Sequence, residues 1–273
     1  MKCGSHNLDF GERTFVMGIL NVTPDSFSDG GLYSSTKTAI EHAKKMIENG
    51  ADILDVGWES TRPGATPVSI EDELRRVIPV IAELSKLDAI ISVDTYKPEV
   101  AFKAVEAGAR MLNDINGLRT KGMAEFAAST RLPVVVMHMH GTPRNMQDNP
   151  AYRDVVSDIN SFFDERISFA VEHGIKKERI ILDPGIGFGK KLEHNLEIIR
   201  RLREFKKHGL PLLIGPSRKS FLGAILGKPP SQWLEGTIAA VTASIINGAD
   251  IVRVHDVSQV VMAVRVADKL IGR

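Results

Sequence analysis

The sequence predicts an α/β protein, one (β/α)8 barrel spanning residues 1–273 as a single domain, with its active site at the C-terminal ends of the strands. Three observations carry that prediction. Short β-rich runs alternate eight times with amphipathic stretches of helical length, with no long linker or shift in composition between them. A residue pair ending in glycine repeatedly closes a helical pattern just before the next strand. Polar and charged residues gather where the strands end, and a barrel places all those ends on one face. A doubly wound open sheet is the alternative, because alternation alone does not prove closure.

The candidate strands are 15–20, 53–56, 90–93, 111–112, 134–137, 180–182, 212–214 and 251–254. Ala39, Ile40, Ala43, Met46 and Ile47 share one helical face that stops at Asn49-Gly50, and Leu74, Val77, Ile78, Ile81 and Leu84 make another. Ala107-Gly108, His173-Gly174, His208-Gly209 and Asn247-Gly248 repeat the stop signal.

Asn21 follows the first strand, Gly57-Trp58-Glu59-Ser60-Thr61-Arg62 the second and Asp94 the third. Asn113 and Asp114 follow the fourth, His138 the fifth, Asp183 the sixth, Lys219 the seventh, and Arg253 with His255 the eighth. One carboxylate at a strand end is commonly a cap. This many at one end form a site, and the loops leading into the strands carry little comparable chemistry.

The stretch from Pro211 to Gly223 is the most informative. Leu212, Leu213 and Ile214 read as a buried strand, Gly215-Pro216 breaks it, and Ser217 is expected to cap a helix carrying Phe221, Leu222, Ile225 and Leu226. Arg218, Lys219 and Ser220 then sit where free N–H groups and the helix dipole attract anions. Cations oppose the dipole at that position, so a bound anion explains them better than solvent does.

Composition narrows the function class. The 273 residues carry a formal charge of +1, so nucleic acid has no electrostatic footprint and any anion affinity must be local. One cysteine, Cys3, excludes an intrachain disulfide and fits a reducing, cytoplasmic setting. No apolar run approaches a membrane span, and the polar N-terminus lacks a signal-peptide core.

Asp94, Asn113, Asp183 and Lys219, converging on the mouth, suit a flat heterocycle with an amino-pyrimidine edge: carboxylates and an amide meet its donors, and a lysine its carbonyl or ring nitrogen. Asn21, Arg62, Arg253 and His255 suit phosphate instead, and the loops after the seventh and eighth strands are the usual barrel phosphate site. Other signals fail. Gly185, Gly187 and Gly189 match neither the dinucleotide fingerprint nor the P-loop and read as a tight loop of close backbone approach. His138 and His140 fit a polar pocket better than a metal pair, and Cys3 has no setting for a nucleophile. A Schiff base on Lys219 is conceivable in a barrel, but Arg218 and a nearby carboxylate favour an ordinary charged lysine.

With those residues in view, the chain closely resembles the dihydropteroate synthases. The resemblance runs through Met17 to Gly31, Glu59 to Gly64, Ser92 to Thr95, Leu112 to Asp114, Asp183 to Gly185, Ser217 to Ser220 and Arg253 to Asp256, in order, over nearly the whole length. It implies condensation of 6-hydroxymethyl-7,8-dihydropterin diphosphate with p-aminobenzoate, giving 7,8-dihydropteroate and diphosphate. It assigns the pterin to Asp94, Asn113, Asp183, Lys219 and Arg253. Diphosphate falls to Asn21, Thr61, Arg62, Arg253 and His255, with Mg2+ at Asn21. Phe27, Pro63, Phe188 and Ser220 take p-aminobenzoate, and Asp29 is the candidate for stabilising a pterin cation. Asp25, Phe27 and Asp29 belong to a mobile first loop and Thr61 to a second. The catalytic set is therefore Asp29, Thr61, Arg62, Lys219, Arg253 and His255. Sulfonamides are expected as competitors, and a homodimer is the family expectation. Trp58 departs from the pattern, which has a small residue there. A pterin-dependent methyltransferase of the same fold and a catalytically silent pterin-binding protein are the competing readings.

Overall fold

The computed structural model describes residues 1–22, 31–58 and 68–273. Two short strands, β1 (Lys2–Cys3) and β2 (His6–Asn7), form an antiparallel hairpin. Eight parallel strands follow: β3 (Phe15–Asn21), β4 (Ile53–Gly57), β5 (Ile90–Asp94), β6 (Met111–Asp114), β7 (Val134–Met137), β8 (Ile180–Asp183), β9 (Leu213–Ile214) and β10 (Ile251–Val254). The helices between and after them are α1 (Gly31–Glu48), α2 (Ile70–Leu84), α3 (Pro98–Ala107), α4 (Met123–Thr130), α5 (Val155–Glu172), α6 (Leu192–Arg200), α7 (Ser220–Leu226), α8 (Leu234–Ile246) and α9 (Val257–Leu270). Neighbouring strands pair in the order β8-β7-β6-β5-β4-β3-β10-β9. The seam closes where Leu182 bridges Leu212 and Leu182 N–H donates to Pro211 O at 2.9 Å. The sheet is thus a barrel, not the open alternative.

Strand parity builds two cores and one polar layer. Val16, Leu54, Ile91, Leu112, Val134, Leu182, Ile214 and Val252 point outward and are buried against the helices. Phe15, Met17, Ile53, Ile90, Met111, Val135, Ile181, Leu213 and Ile251 point inward and fill the lower barrel. Cys3 and Leu8 of the hairpin segment plug that end. Two residues further along the strands, the inward positions become Asp55, Ser92, Asn113, Met137, Asp183, Gly215 and Arg253. The apolar floor therefore carries a polar storey at the C-terminal mouth.

The loops entering the strands carry carboxylates too, but these serve the fold. Asp52 accepts from Arg13 Nη2 at 2.7 Å and from Val16 N–H at 2.8 Å. Asp250 accepts from Leu212 N–H at 2.8 Å and also pairs with Lys206 and Arg273. These carboxylates satisfy strand N–H groups and are tied to nearby cations, so they close the lower rim rather than bind a ligand. The glycine stops behave as expected: Gly50, Gly108, Gly174, Gly209 and Gly248 all have positive φ.

Candidate active site

Asp94, Asn113, Asp183, Lys219 and Arg253 line one pocket at the mouth, together with Ile115, Met137, Gly185, Ile186, Phe188 and Gly215. Five strand ends and three following loops contribute, which is why residues far apart in sequence meet. Arg253 is the hub. Its Nε donates to Asp55 Oδ2 at 2.6 Å and its Nη2 to Asp94 Oδ2 at 2.6 Å. Asn113 Nδ2 donates to the same Asp55 oxygen at 2.8 Å. Asp183 Oδ1 accepts from Gly185 N–H at 2.7 Å. Lys219 Nζ lies 4.2 Å from the centre of the Phe188 ring, so the lysine and the aromatic form one wall.

Burial controls the charges. It pushes the Asp183 carboxyl up to about 6 against the opposing Gly185 N–H and Lys219, and raises Asp94 despite Arg253, with Asp55 adding to the rise. It pulls Lys219 down to about 8, with Arg253 as the second cause. The lysine is therefore a perturbed group, though one still predominantly protonated at neutral pH. Burial alone would lower Arg253, but Asp55 and Asp94 leave it raised. His255 is held at about 3, first by burial and then by Arg253, so it stands beside the mouth as a neutral imidazole.

Two expectations for the stretch after β9 are corrected. Ser217 does not cap α7: the helix begins at Ser220 with Lys219 at the cap position, and Ser217 Oγ sits 3.0 Å from His255 Nδ1 and accepts from His255 N–H at 3.2 Å. A hydroxyl that donates to Nδ1 leaves Nε2–H as the imidazole donor. Arg218 turns outward to Asp256, its Nε donating at 3.0 Å, with φ of 51°. Only Lys219 faces the pocket. Ser220 is exposed at the first turn of α7, and Asn21 is exposed at the end of β3.

The glycine loop after β8 is as tight as expected. Gly185, Gly187 and Gly189 have φ of 70°, 83° and 64°, and a Cβ on Gly185 would lie 2.0 Å from His138 O. Buried Lys190 clamps this loop, donating to Phe188 O at 2.9 Å and meeting His138 Nδ1 at 3.0 Å. Burial and Lys190 together hold His138 well below the usual imidazole range. Among the described residues no cluster of His, Cys, Asp or Glu could hold a metal ion. Cys3 is fully buried and its thiol is pushed up to about 12 by burial, so it is inert.

Asp25, Phe27, Asp29, Thr61, Arg62 and Pro63 lie outside the described residues. Sequence reasoning missed Asp55, Lys190, Met137 and Ile115. Asp55 had a signal, a carboxylate two residues after Ile53 and so on the inward face of an otherwise apolar strand. Trp58, half-buried, packs against the outer core with Arg76 5.8 Å from its ring, and its N–H has no partner among the described residues.

Comparison with known proteins gives the family. The family described as pterin binding enzyme matches residues 17–255. The dihydropteroate synthase of Escherichia coli strain K12 is 51% identical over 254 residues, covering 93% of this chain and 90% of its own. The Yersinia pestis dihydropteroate synthase, solved in complex with a sulfonamide drug, superposes with a TM-score of 0.95 at 46% identity, over 100% of this chain and 99% of that one. The Xanthomonas albilineans dihydropteroate synthase in complex with 7,8-dihydropteroate gives 0.90 at 42% identity, over 99% and 98%. A barrel closed at Leu182, a polar mouth and relatives of this similarity over nearly the full length place the chain in the dihydropteroate synthase family of pterin-binding enzymes.

Proposed function

We propose that this transferase joins 6-hydroxymethyl-7,8-dihydropterin diphosphate to p-aminobenzoate in its barrel mouth, as the folate-pathway enzymes it resembles do. The convergence of Asp94, Asn113, Asp183, Lys219 and Arg253 on one pocket carries the reading. Asp183 and Asn113 offer acceptors to the amino-pyrimidine edge, and Lys219 offers a donor to the ring carbonyl. Phe188 on the same wall, and Ser220 at the start of α7, suit the aryl amine and its carboxylate.

The carbon–oxygen bond at the pterin methylene breaks with its electron pair leaving on diphosphate, and the electron-rich ring delocalises the positive charge. Arg253 and the Nε2–H of His255 would stabilise the departing anion, joined by Arg62 and Thr61. The amine nitrogen then forms the new carbon–nitrogen bond and releases a proton to water. Asp29 is assigned to the cation.

Mg2+ fits this site as a substrate-borne ion. Mg2+ keeps several waters and is held by one or two protein oxygens plus phosphates, so the exposed Asn21 side chain at the strand end suffices without a cage. Bound there, it would neutralise charge on the diphosphate. Sulfonamides are proposed as competitors of p-aminobenzoate, following the Yersinia complex. Among the described residues no helix is long and apolar enough to cross a membrane, and a cytoplasmic location is proposed with it. Diphosphate release on mixing the two substrates tests the reading. A methyltransferase or a silent binder would release none.

A further inference from the structure

Asp55 is the one acidic side chain of the polar storey that does not line the pocket, yet it grips two residues that do. It is fully buried on β4. One oxygen, Oδ2, receives Asn113 Nδ2 from β6 and Arg253 Nε from β10. The other, Oδ1, is buried with no partner among the described residues, and so is Ser92 Oγ, which pairs in register with Asp55 from β5. The groups facing Asp55 are thus Asn113, Arg253 and Ser92, with Asp94 across the shared guanidinium.

A carboxylate oxygen can only accept, so Asn113 must present its N–H2 to Asp55. Its carbonyl oxygen is the remaining polar atom, and the residue lines the pocket. Arg253 is pinned likewise, its Nε on Asp55 and its Nη2 on Asp94, which leaves Nη1 for a ligand. Without the Asp55 anchor, Asn113 could turn its amide end for end and offer a donor where a donor-bearing ligand edge must bind.

We propose that Asp55 is a positioning residue that sets the hydrogen-bond polarity of the pocket, turning the Asn113 carbonyl and the free Arg253 nitrogen toward the pterin. This rests on the pterin reading above. Asp55 touches no substrate; its effect passes through Asn113 and Arg253.

An exchange of side chains tests it. Asp55→Asn offers Asn113 either an acceptor or a donor, so the orientation is no longer dictated. Asn113→Asp sets two carboxylates against each other. The double variant carries the same charge as the wild type: an amide nitrogen at the place of Asp55 Oδ2 can donate to Asp at 113, which again presents an acceptor to the pocket, while Arg253 gives up its Nε bond there and keeps its Nη2 bond to Asp94. Calorimetric titration with 6-hydroxymethyl-7,8-dihydropterin diphosphate should show each single variant weakened tenfold or more. The double variant should recover part of the N113D loss, through the restored contact at position 113, and the Michaelis constant for p-aminobenzoate should stay within about twofold of wild type throughout. If D55N does not fold, recovery from N113D to the double variant carries the same test. A D55N chain that binds as wild type overturns the proposal, as does a double variant whose losses simply add. A wild-type chain that binds no pterin sinks the reading above and this proposal with it, whereas wild-type binding with failed recovery sinks only the proposal.

Discussion

Single groups in this mouth are held in charge states that the empty protein does not favour. Asp183 illustrates the consequence. A folded pKa raised above the ordinary carboxylate value means that the group stabilises the fold below that ordinary value and loses this contribution as pH rises through about 6. At neutral pH its charge therefore costs the ligand-free fold, on the order of 3 kcal/mol for a rise of this size. Asp183→Asn should raise the melting temperature of the ligand-free chain at pH 7.5 (roughly neutral conditions), because Asn can still accept from Gly185 N–H. The gain should shrink as pH falls toward about 4. The same substitution should weaken pterin diphosphate at least tenfold. A pH-independent melting difference, or unchanged affinity, would remove Asp183 from this account. Asp183 was legible because a carboxylate directly ends an apolar run. Lys190 was not: a lysine after three glycines looks like any solvated cation until the fold buries it against Phe188 O and His138.

Elements were legible wherever periodicity ran long. The positions of β4, β5 and β10 and the apolar faces of α1 and α2 follow from the sequence alone, whereas which strand residues point inward emerged only with the barrel. The stretch after β9 was not, because its bonds are tertiary. Ser217 looks like a cap beside a helical pattern, but His255, just past β10, claims its hydroxyl. Arg218 looks like an anion ligand, but Asp256 claims its guanidinium. β9 itself ends at Ile214, and Lys219, five residues on, lies over Phe188. The loop after β8 depends on glycine for a different reason, namely close approach to the β7 end. Gly185→Ala meets both a positive φ and the His138 carbonyl. It should cost about 2 kcal/mol or more and lower the melting temperature by about 5 °C, with pterin affinity falling further because Asp183 is held by Gly185 N–H. A calorimetric melt indistinguishable from wild type would show that the loop can relax.

For the whole molecule, barrel closure is what turns scattered motifs into one site: the polar storey exists only because eight strands in register lift their inward residues to a common height. The same closure leaves helices α7 to α9 on the outside with Ile225, Leu226, Ile246, Met262, Val266 and Leu270 exposed. Met262, Val266 and Leu270 recur every four residues along α9, an apolar stripe that water does not favour. A homodimer through this face is the expected outcome. Sedimentation equilibrium should give about twice the chain mass of 30.0 kDa at micromolar concentration, and Val266→Glu should return it to a monomer with the fold intact. A wild-type monomer at those concentrations would exclude that interface.

The central claim is that the five pocket residues grip the pterin while Phe188 and Ser220 receive the aryl amine. The most direct measurement is a crystal structure of this chain with 7,8-dihydropteroate. The pterin amino-pyrimidine edge should lie within hydrogen-bonding distance of Asp183 and the Asn113 carbonyl, with the ring between Lys219 and Arg253 and the benzoate directed toward Ser220. A product bound outside the barrel mouth, or with its pterin turned away from Asp183 and Asn113, would contradict the account.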